Sequence, residues 1–412
     1  MSELDVIGML EQMAAYGHAP RDGCHLFGVG YEDAFERLRK KYIISRFDRG
    51  HSGEKFVVGP FGSGKTHFLR EIFEIAREHD CVTSEVTLNK DLDFTESLVT
   101  YKEVARELRA PGRDDHGMRS LLMAAIERVG SLASDPEAAE HLVRSWAGGL
   151  DKADFKLESF GRIAKKGVLS YLSEDEAGFE SACRWLGGDI ADKALARELS
   201  ESPVPQDEHK LHGRRALLSL FQFVKHAKFR GTVVGFDEAE QGFAVDRARV
   251  NRIHSMLQSG INATVDLQGG SALVLYALTP DIVEKMEEFA ALQQRVADPR
   301  PGHGFFAGDT MAPLISLTER GDVVEELKTI GRRLVDLLYE NTDEPPSAKP
   351  DDVKKIVDSV AENVAATDIR SSNRRTMVKR VCSMLLTLHE EGLLEDPGVQ
   401  PEIVEQKGED EV

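Results

Sequence analysis

This chain has no long apolar run. None of its 412 residues lies in a stretch approaching the roughly 18 apolar positions that a membrane-crossing helix requires. The longest candidates, around Phe56–Val58 and Ala272–Leu278, are short enough to be buried strands. The opening Met1-Ser2-Glu3-Leu4-Asp5 is acidic and lacks the basic region of a secretory signal, so no membrane association is expected. Cysteine is scarce and unpaired in spacing. Cys24, Cys81, Cys183 and Cys382 stand singly, which argues against a disulfide framework or a zinc site and for a reducing, cytoplasmic setting. Positive charge is in deficit: 52 Lys and Arg face 71 Asp and Glu, for a formal net charge of −19. A field of that sign repels phosphate backbones and excludes a general polyanion binder. Local basic clusters remain at Arg37, Arg39, Lys40 and Lys41, and at Arg370, Arg374, Arg375, Lys379 and Arg380. The first reads as a solvated helix face. Internal repeats and low-complexity tracts are absent.

The apolar pattern that is present alternates between two periods. Leu4–Met13 has helical spacing and is broken by Ala19-Pro20-Arg21-Asp22-Gly23. Tyr31–Arg46 predicts a helix with Ala34, Phe35, Leu38 and Tyr42 on one side. Lys55–Val58 predicts a buried strand running into a glycine-rich turn, His67–Glu78 a helix, and Val82–Leu88 a second strand. From about 96 to 228 the spacing is almost wholly helical. Thr232–Phe236 and Ala272–Leu278 are apolar throughout, as strands of a parallel sheet covered on both faces should be. Beyond Ile315 the pattern is helical again, interrupted at Asn341–Lys349, and Glu402–Val412 is polar and acidic.

Gly59-Pro60-Phe61-Gly62-Ser63-Gly64-Lys65-Thr66, followed by His67, satisfies the phosphate-loop pattern G-x-x-x-x-G-K-[ST]. Glycines let successive backbone N–H groups turn inward around a phosphate, and the helix that follows presents its positive dipole end. Lys65 is placed to reach the β- and γ-phosphates of ATP, and the Thr66 hydroxyl to bind Mg²⁺. A predicted strand precedes the loop and a predicted helix follows it, as the motif demands. The second half of such a site is an apolar strand ending in acids, here Val233-Val234-Gly235-Phe236-Asp237-Glu238. Asp237 would hold Mg²⁺ and Glu238 would polarise the attacking water. Ordinary surface acids could end a strand in the same way; the phosphate loop upstream is what favours the catalytic reading. The long interval between Lys65 and Asp237 calls for a helical insertion between the strands.

Three further segments resemble parts of AAA+ ATPases. In those proteins the strand between the phosphate-loop strand and the acid-ended strand finishes on a polar residue, sensor 1, and Thr279 at the end of Ala272–Leu278 fits that role. Thr279 equally suits the cap of a helix opening at Pro280. Arg295 in Leu292-Gln293-Gln294-Arg295-Val296 stands where AAA+ proteins carry an arginine finger that completes a neighbouring subunit's site, with Arg300 as second choice. A solvent-exposed arginine would read the same. Ser371-Ser372-Asn373-Arg374 resembles the lid motif of replication-initiator ATPases, with serines replacing its glycine and acid, and Arg374 is its sensor 2 candidate. Phe27-Gly28-Val29-Gly30-Tyr31-Glu32-Asp33 resembles the linker beside adenine in the same proteins.

The ensemble also resembles the ATP-binding proteins of bacteriophage-exclusion (BREX) systems, the BrxC/BrxD family. It is carried by the block Phe56–Arg70, by Val86-Thr87-Leu88-Asn89, by Phe236–Glu240 and by Leu275–Ile282. The resemblance implies a phage-defence ATPase working with other system proteins, as a homo-oligomer, with DNA as a possible partner. The expected fold is α/β: a parallel-sheet phosphate-loop NTPase core of AAA+ type over 51–310, with a helical insertion at about 96–228. An N-terminal helical segment at 1–50 precedes it, and a helical lid at 311–395 and an acidic tail at 396–412 follow. ATP and Mg²⁺ are the expected ligands. Two other functions compete with a motor or remodelling ATPase. One is an ATP-dependent assembly switch or scaffold with slow turnover. The other is a replication-initiator or helicase-loader protein, which would call for a winged-helix domain after the lid.

Overall fold

The computed structural model describes residues 5–89, 96–238, 267–287, 293, 297, 304–317, 322–367 and 373–394. These residues divide into two compact units.

The first unit spans 31–60 and 65–318. Its centre is a six-stranded sheet formed by β1 (Gly53–Val58), β2 (Cys81–Thr87), β3 (Leu108–Arg109), β4 (Gly231–Asp237), β5 (Ala272–Leu278) and β6 (Leu314–Ser316), in the order β3-β2-β4-β5-β1-β6. Every neighbouring pair is parallel except β2–β3, a two-residue antiparallel edge. The strand carrying Thr279 at its end, β5, therefore lies between the strand before the glycine-rich loop and the strand ending in Asp237.

The unbroken apolar run of each inner strand follows from burial on both faces. Alternate residues divide between two cores. Phe56, Val234, Phe236, Val274 and Tyr276 face one of them. Val57, Val233, Leu273, Leu275 and Ala277 face the other.

The second core is closed by α1 (Glu32–Leu38), a π-helix over Arg39–Arg46, and α2 (Lys65–Glu78), which contributes Phe68, Leu69, Ile72, Phe73 and Ala76. One continuous helix was expected over Tyr31–Arg46. The chain instead passes from α-helical to π-helical turns after Leu38, and it still buries Tyr42 and Ile43 against this core.

The first core is closed by the long helical stretch of the chain. This comprises α3 (Ser97–Arg106), α4 (Gly117–Gly130), α5 (Pro136–Leu150), α6 (Glu158–Leu172), α7 (Glu176–Leu186), α8 (Lys193–Glu198) and α9 (His209–His226). Their apolar faces share one continuous core with the sheet. Asp135, Asp175 and Asp192 start three of these helices by accepting backbone N–H bonds from the first turn.

The second unit spans 2–30, 61–64 and 319–412. It is a helical bundle of α10 (Val6–Tyr16), α11 (Val323–Glu340), α12 (Pro350–Thr367) and α13 (Asn373–Glu391). Leu10, Met13, Leu334, Leu338, Val357, Val381 and Leu385 meet in its core. Among the described residues no helix is long and apolar enough to cross a membrane.

Candidate functional site

The site is built at the carboxyl ends of the parallel strands, where open α/β sheets place their ligands. β1 and β5 run in register to Val58 and Leu278, and Gly59 extends the ladder by donating to Leu278 O at 3.0 Å. On the other side of β1, Leu317 donates to Val58 O at 2.6 Å. The start of the loop is thus pinned from both neighbours. Gly62 and Gly64 hold φ of 80° and 91°, left-handed values that side chains rarely adopt, so the turn depends on glycine at both positions. Lys65 opens the helix Lys65–Glu78 and is buried, its Nζ donating to Gly59 O at 3.0 Å and Pro60 O at 3.2 Å. His67 lies 3.4 Å from Glu71, one turn along the same helix.

Asp237 ends β4 and is buried. Its position is fixed by close packing one turn of strand earlier: a Cβ on Gly235 would meet Phe73 Cζ at 2.5 Å, so only glycine lets β4 lie this near the helix behind it. The Thr66 hydroxyl donates to Asp237 Oδ2 at 2.6 Å, and the backbone of Glu238 donates to Oδ1 at 2.9 Å. Burial pushes the Asp237 carboxyl above its ordinary range, against the lowering effect of the Thr66 hydrogen bond. Two hard oxygens side by side, one on a desolvated carboxyl, form a donor pair suited to a small divalent cation, and Thr66 and Asp237 could hold Mg²⁺ together. Glu238 follows at φ 53°, in the left-handed region, with its side chain half-buried. Thr279 is buried at the end of β5, and its carbonyl accepts from Ile282 in the helix Pro280–Glu287.

In the second unit, Arg374 at the start of α13 donates through Nη1 to Ser63 O at 2.7 Å and through Nη2 to Glu326 on α11. Phe61 at the loop tip is exposed. Arg333 donates to Gly28 O, in the segment that resembles an adenine-side linker. Arg295, Arg300, Ser371 and Ser372 lie outside the described residues.

Two contributors escaped the sequence reading. Glu326 was one acid among many in a helix start. Lys55 stood inside a strand expected to be apolar. The Lys55 side chain is 1% exposed, donates to Thr310 O and Ala312 O, and lies 4.9 Å from the Tyr42 ring centroid and 5.5 Å from that of Phe305. It ties the strand before the loop to the segment leading into β6.

A mostly parallel α/β sheet with a Gly-Lys-Thr turn leaving an inner strand is compatible with the class of phosphate-loop nucleoside triphosphatases. The chain belongs to the family of BREX system ATP-binding proteins BrxC/D, whose profile matches residues 5–395, nearly the full length. That membership makes it an ATP-binding protein of phage defence, with other proteins of the system as its suggested partners. No curated protein and no solved structure matches it significantly.

Proposed function

We propose that this chain hydrolyses ATP, as an oligomeric AAA+ protein of its defence system, and uses the turnover to remodel partner proteins or DNA. The observation that carries the reading is the meeting of Thr66 and Asp237, 2.6 Å apart and separated by most of the first unit's sequence. That pairing brings the phosphate loop to an acid-ended strand. Residues 59–66 would cradle the phosphates, with Lys65 exchanging its carbonyl partners for phosphate oxygens. Thr66 and Asp237 would hold Mg²⁺, which when bound supplies charge neutralisation on the β- and γ-phosphates. Glu238 would orient the attacking water and take its proton. Thr279 would contact the γ-phosphate or that water, from a strand that runs beside the loop strand. Arg374 would serve as the lid arginine, the role that its resemblance to the initiator lid motif implies.

The experiment is ATP binding and phosphate release measured side by side in wild type and Glu238→Gln. The amide cannot accept the proton, so binding should persist while release falls roughly 10²–10⁴-fold. Loss of binding and release together would give Glu238 a structural role and remove hydrolysis from the reading.

A further inference from the structure

On α11 and α12 of the helical bundle the cations have partners within the bundle. Lys328 pairs with Glu325 and Glu362, Arg332 with Asp358, Lys354 with Asp336 and Lys355 with Asp352, while Arg333 donates to Gly28 O. On α13, Arg375 and Lys379 are exposed, and among the described residues neither has an ion pair or a hydrogen bond. They stand one helical turn apart, a spacing at which like charges repel and weaken a helix. Their stems lie over Gly17, the left-handed residue that ends α10. A Cβ there would meet Arg375 Cγ at 2.7 Å and Lys379 Cγ at 2.8 Å. Gly17 is flanked by Tyr16, 66% exposed, and by His18, also exposed, with ring centroids 6.1 Å apart. No acid occurs between Glu11 and Asp22, or between Asp368 and Glu390, in a chain with 71 Asp and Glu. Two acid-free segments thus meet at Gly17, where unpaired cations and open aromatic rings share one surface. The carboxyl end of α10 attracts cations, but it accounts neither for head groups that bond no carbonyl nor for the exposed rings.

We propose that this face binds single-stranded nucleic acid, with Arg375 and Lys379 holding phosphates and Tyr16 stacking on a base. The proposal rests on the reading that DNA is among the chain's substrates, and it names where a strand sits. Phosphates supply the anions that the face lacks. Stacking on an aromatic ring tolerates any base, because every base has a π-face. An acidic peptide would use the cations and leave the rings idle. A duplex has its base faces already covered, so the open rings favour a single strand. The net charge of −19 repels a phosphate backbone elsewhere on the chain, which confines the strand to this patch.

The test is fluorescence anisotropy of a dye-labelled single-stranded DNA of mixed sequence, titrated with the full chain over a salt series. Arg375→Gln with Lys379→Gln should weaken binding roughly tenfold at low salt. It should also flatten the slope of log K against log salt by about 1.4, roughly 0.7 for each phosphate let go. Tyr16→Ala should weaken binding by roughly tenfold and leave that slope unchanged. Lys354→Gln with Lys355→Gln removes the same charge from paired positions, and should change affinity by less than about twofold, because distant charge is screened. No binding by wild type, an equal loss in the Lys354 and Lys355 control, or full affinity in Tyr16→Ala would each overturn the proposal. Equal affinity for the duplex of the same sequence would overturn it too. So would a polyglutamate peptide that binds as tightly and depends on the same residues, which would make the face a site for acidic protein. Thermal melting checks that each variant folds, and the exposed Tyr16 carries the test alone if the double variant does not. The titration contains no ATP, so failed hydrolysis at Glu238 leaves it untouched, and failure here leaves hydrolysis standing.

Discussion

The hydroxyl of Thr66 donates to Asp237 Oδ2 across 2.6 Å, joining the first turn of the helix after the loop to the end of β4. Because Asp237 is buried, its carboxyl titrates above the ordinary carboxylate range. The sign of the linkage follows. A raised folded-state pKa contributes stability below the unfolded value, and that stability is lost as pH rises through the folded value. Without metal, Asp237→Asn should therefore melt higher than wild type at neutral pH, and the gap should close on acidification. Mg²⁺ with nucleotide needs the ionised carboxylate and should reverse the order at neutral pH. The stabilisation it gives wild type should shrink as pH falls, beginning above the pH at which an exposed aspartate protonates. Thermal melts with and without Mg²⁺ and nucleotide across pH check both statements. A magnesium effect equal in wild type and Asp237→Asn would remove Asp237 from the metal site.

Lys65 is the buried cation at the loop, and its Nζ donates to two loop carbonyls. Lys65→Ala should weaken ATP binding by roughly ten- to a hundredfold, the scale of losing hydrogen bonds to a charged group. Nucleotide titration decides it. Wild-type affinity in the variant would place the nucleotide elsewhere.

The inner strands, the helix after the loop and the bundle helices were legible because each needs a long apolar pattern of one period. β3 and β6 were not. Two residues at Leu108–Arg109 and three at Leu314–Ser316 carry too little alternation to stand out. The glycine-rich turn between β1 and the helix after it, and Asp237 at the end of β4, were legible as places in the fold, since glycines mark a tight turn and an acid closes an apolar strand. The Arg374–Glu326 pair was not, because it joins two helix starts across a long sequence interval, and Glu326, unlike Arg374, stands in no motif and reads as an ordinary surface charge. Lys55 shows the same limit from the opposite side. A lysine in a buried strand is tolerated only because carbonyls from a distant segment receive its ammonium, and no local pattern announces them.

Lys55→Met keeps the side-chain volume and removes the charge. Thr310 O and Ala312 O then lose their ammonium donor, and the rings of Tyr42 and Phe305 lose a cation. The expected loss is about 1–3 kcal/mol of unfolding free energy, the cost of leaving buried acceptors short of a donor. Denaturant titration measures it. Stability equal to wild type would mean that apolar burial of the methionine compensates fully, as it does for some buried charges.

The last prediction concerns assembly. If Arg295 completes a neighbouring subunit's site, each ATP site is whole only at an interface between chains. Turnover per chain should then rise with protein concentration. Arg295→Ala should bind ATP as wild type does and hydrolyse it roughly a thousandfold more slowly, because the charge developing on the γ-phosphate loses its partner. Mixing Arg295→Ala with Lys65→Ala should restore part of the activity, since one mixed interface pairs an intact loop with an intact arginine. Arg374 differs in kind. It contacts Ser63 and Glu326 of its own chain, so mixing Arg374→Ala with Lys65→Ala should rescue less. Phosphate release over a concentration series, for each variant and each mixture, separates the two arginines. If Arg295→Ala matches wild type at every concentration, the trans role passes to Arg300, and if that variant also matches, to a chain that turns over alone.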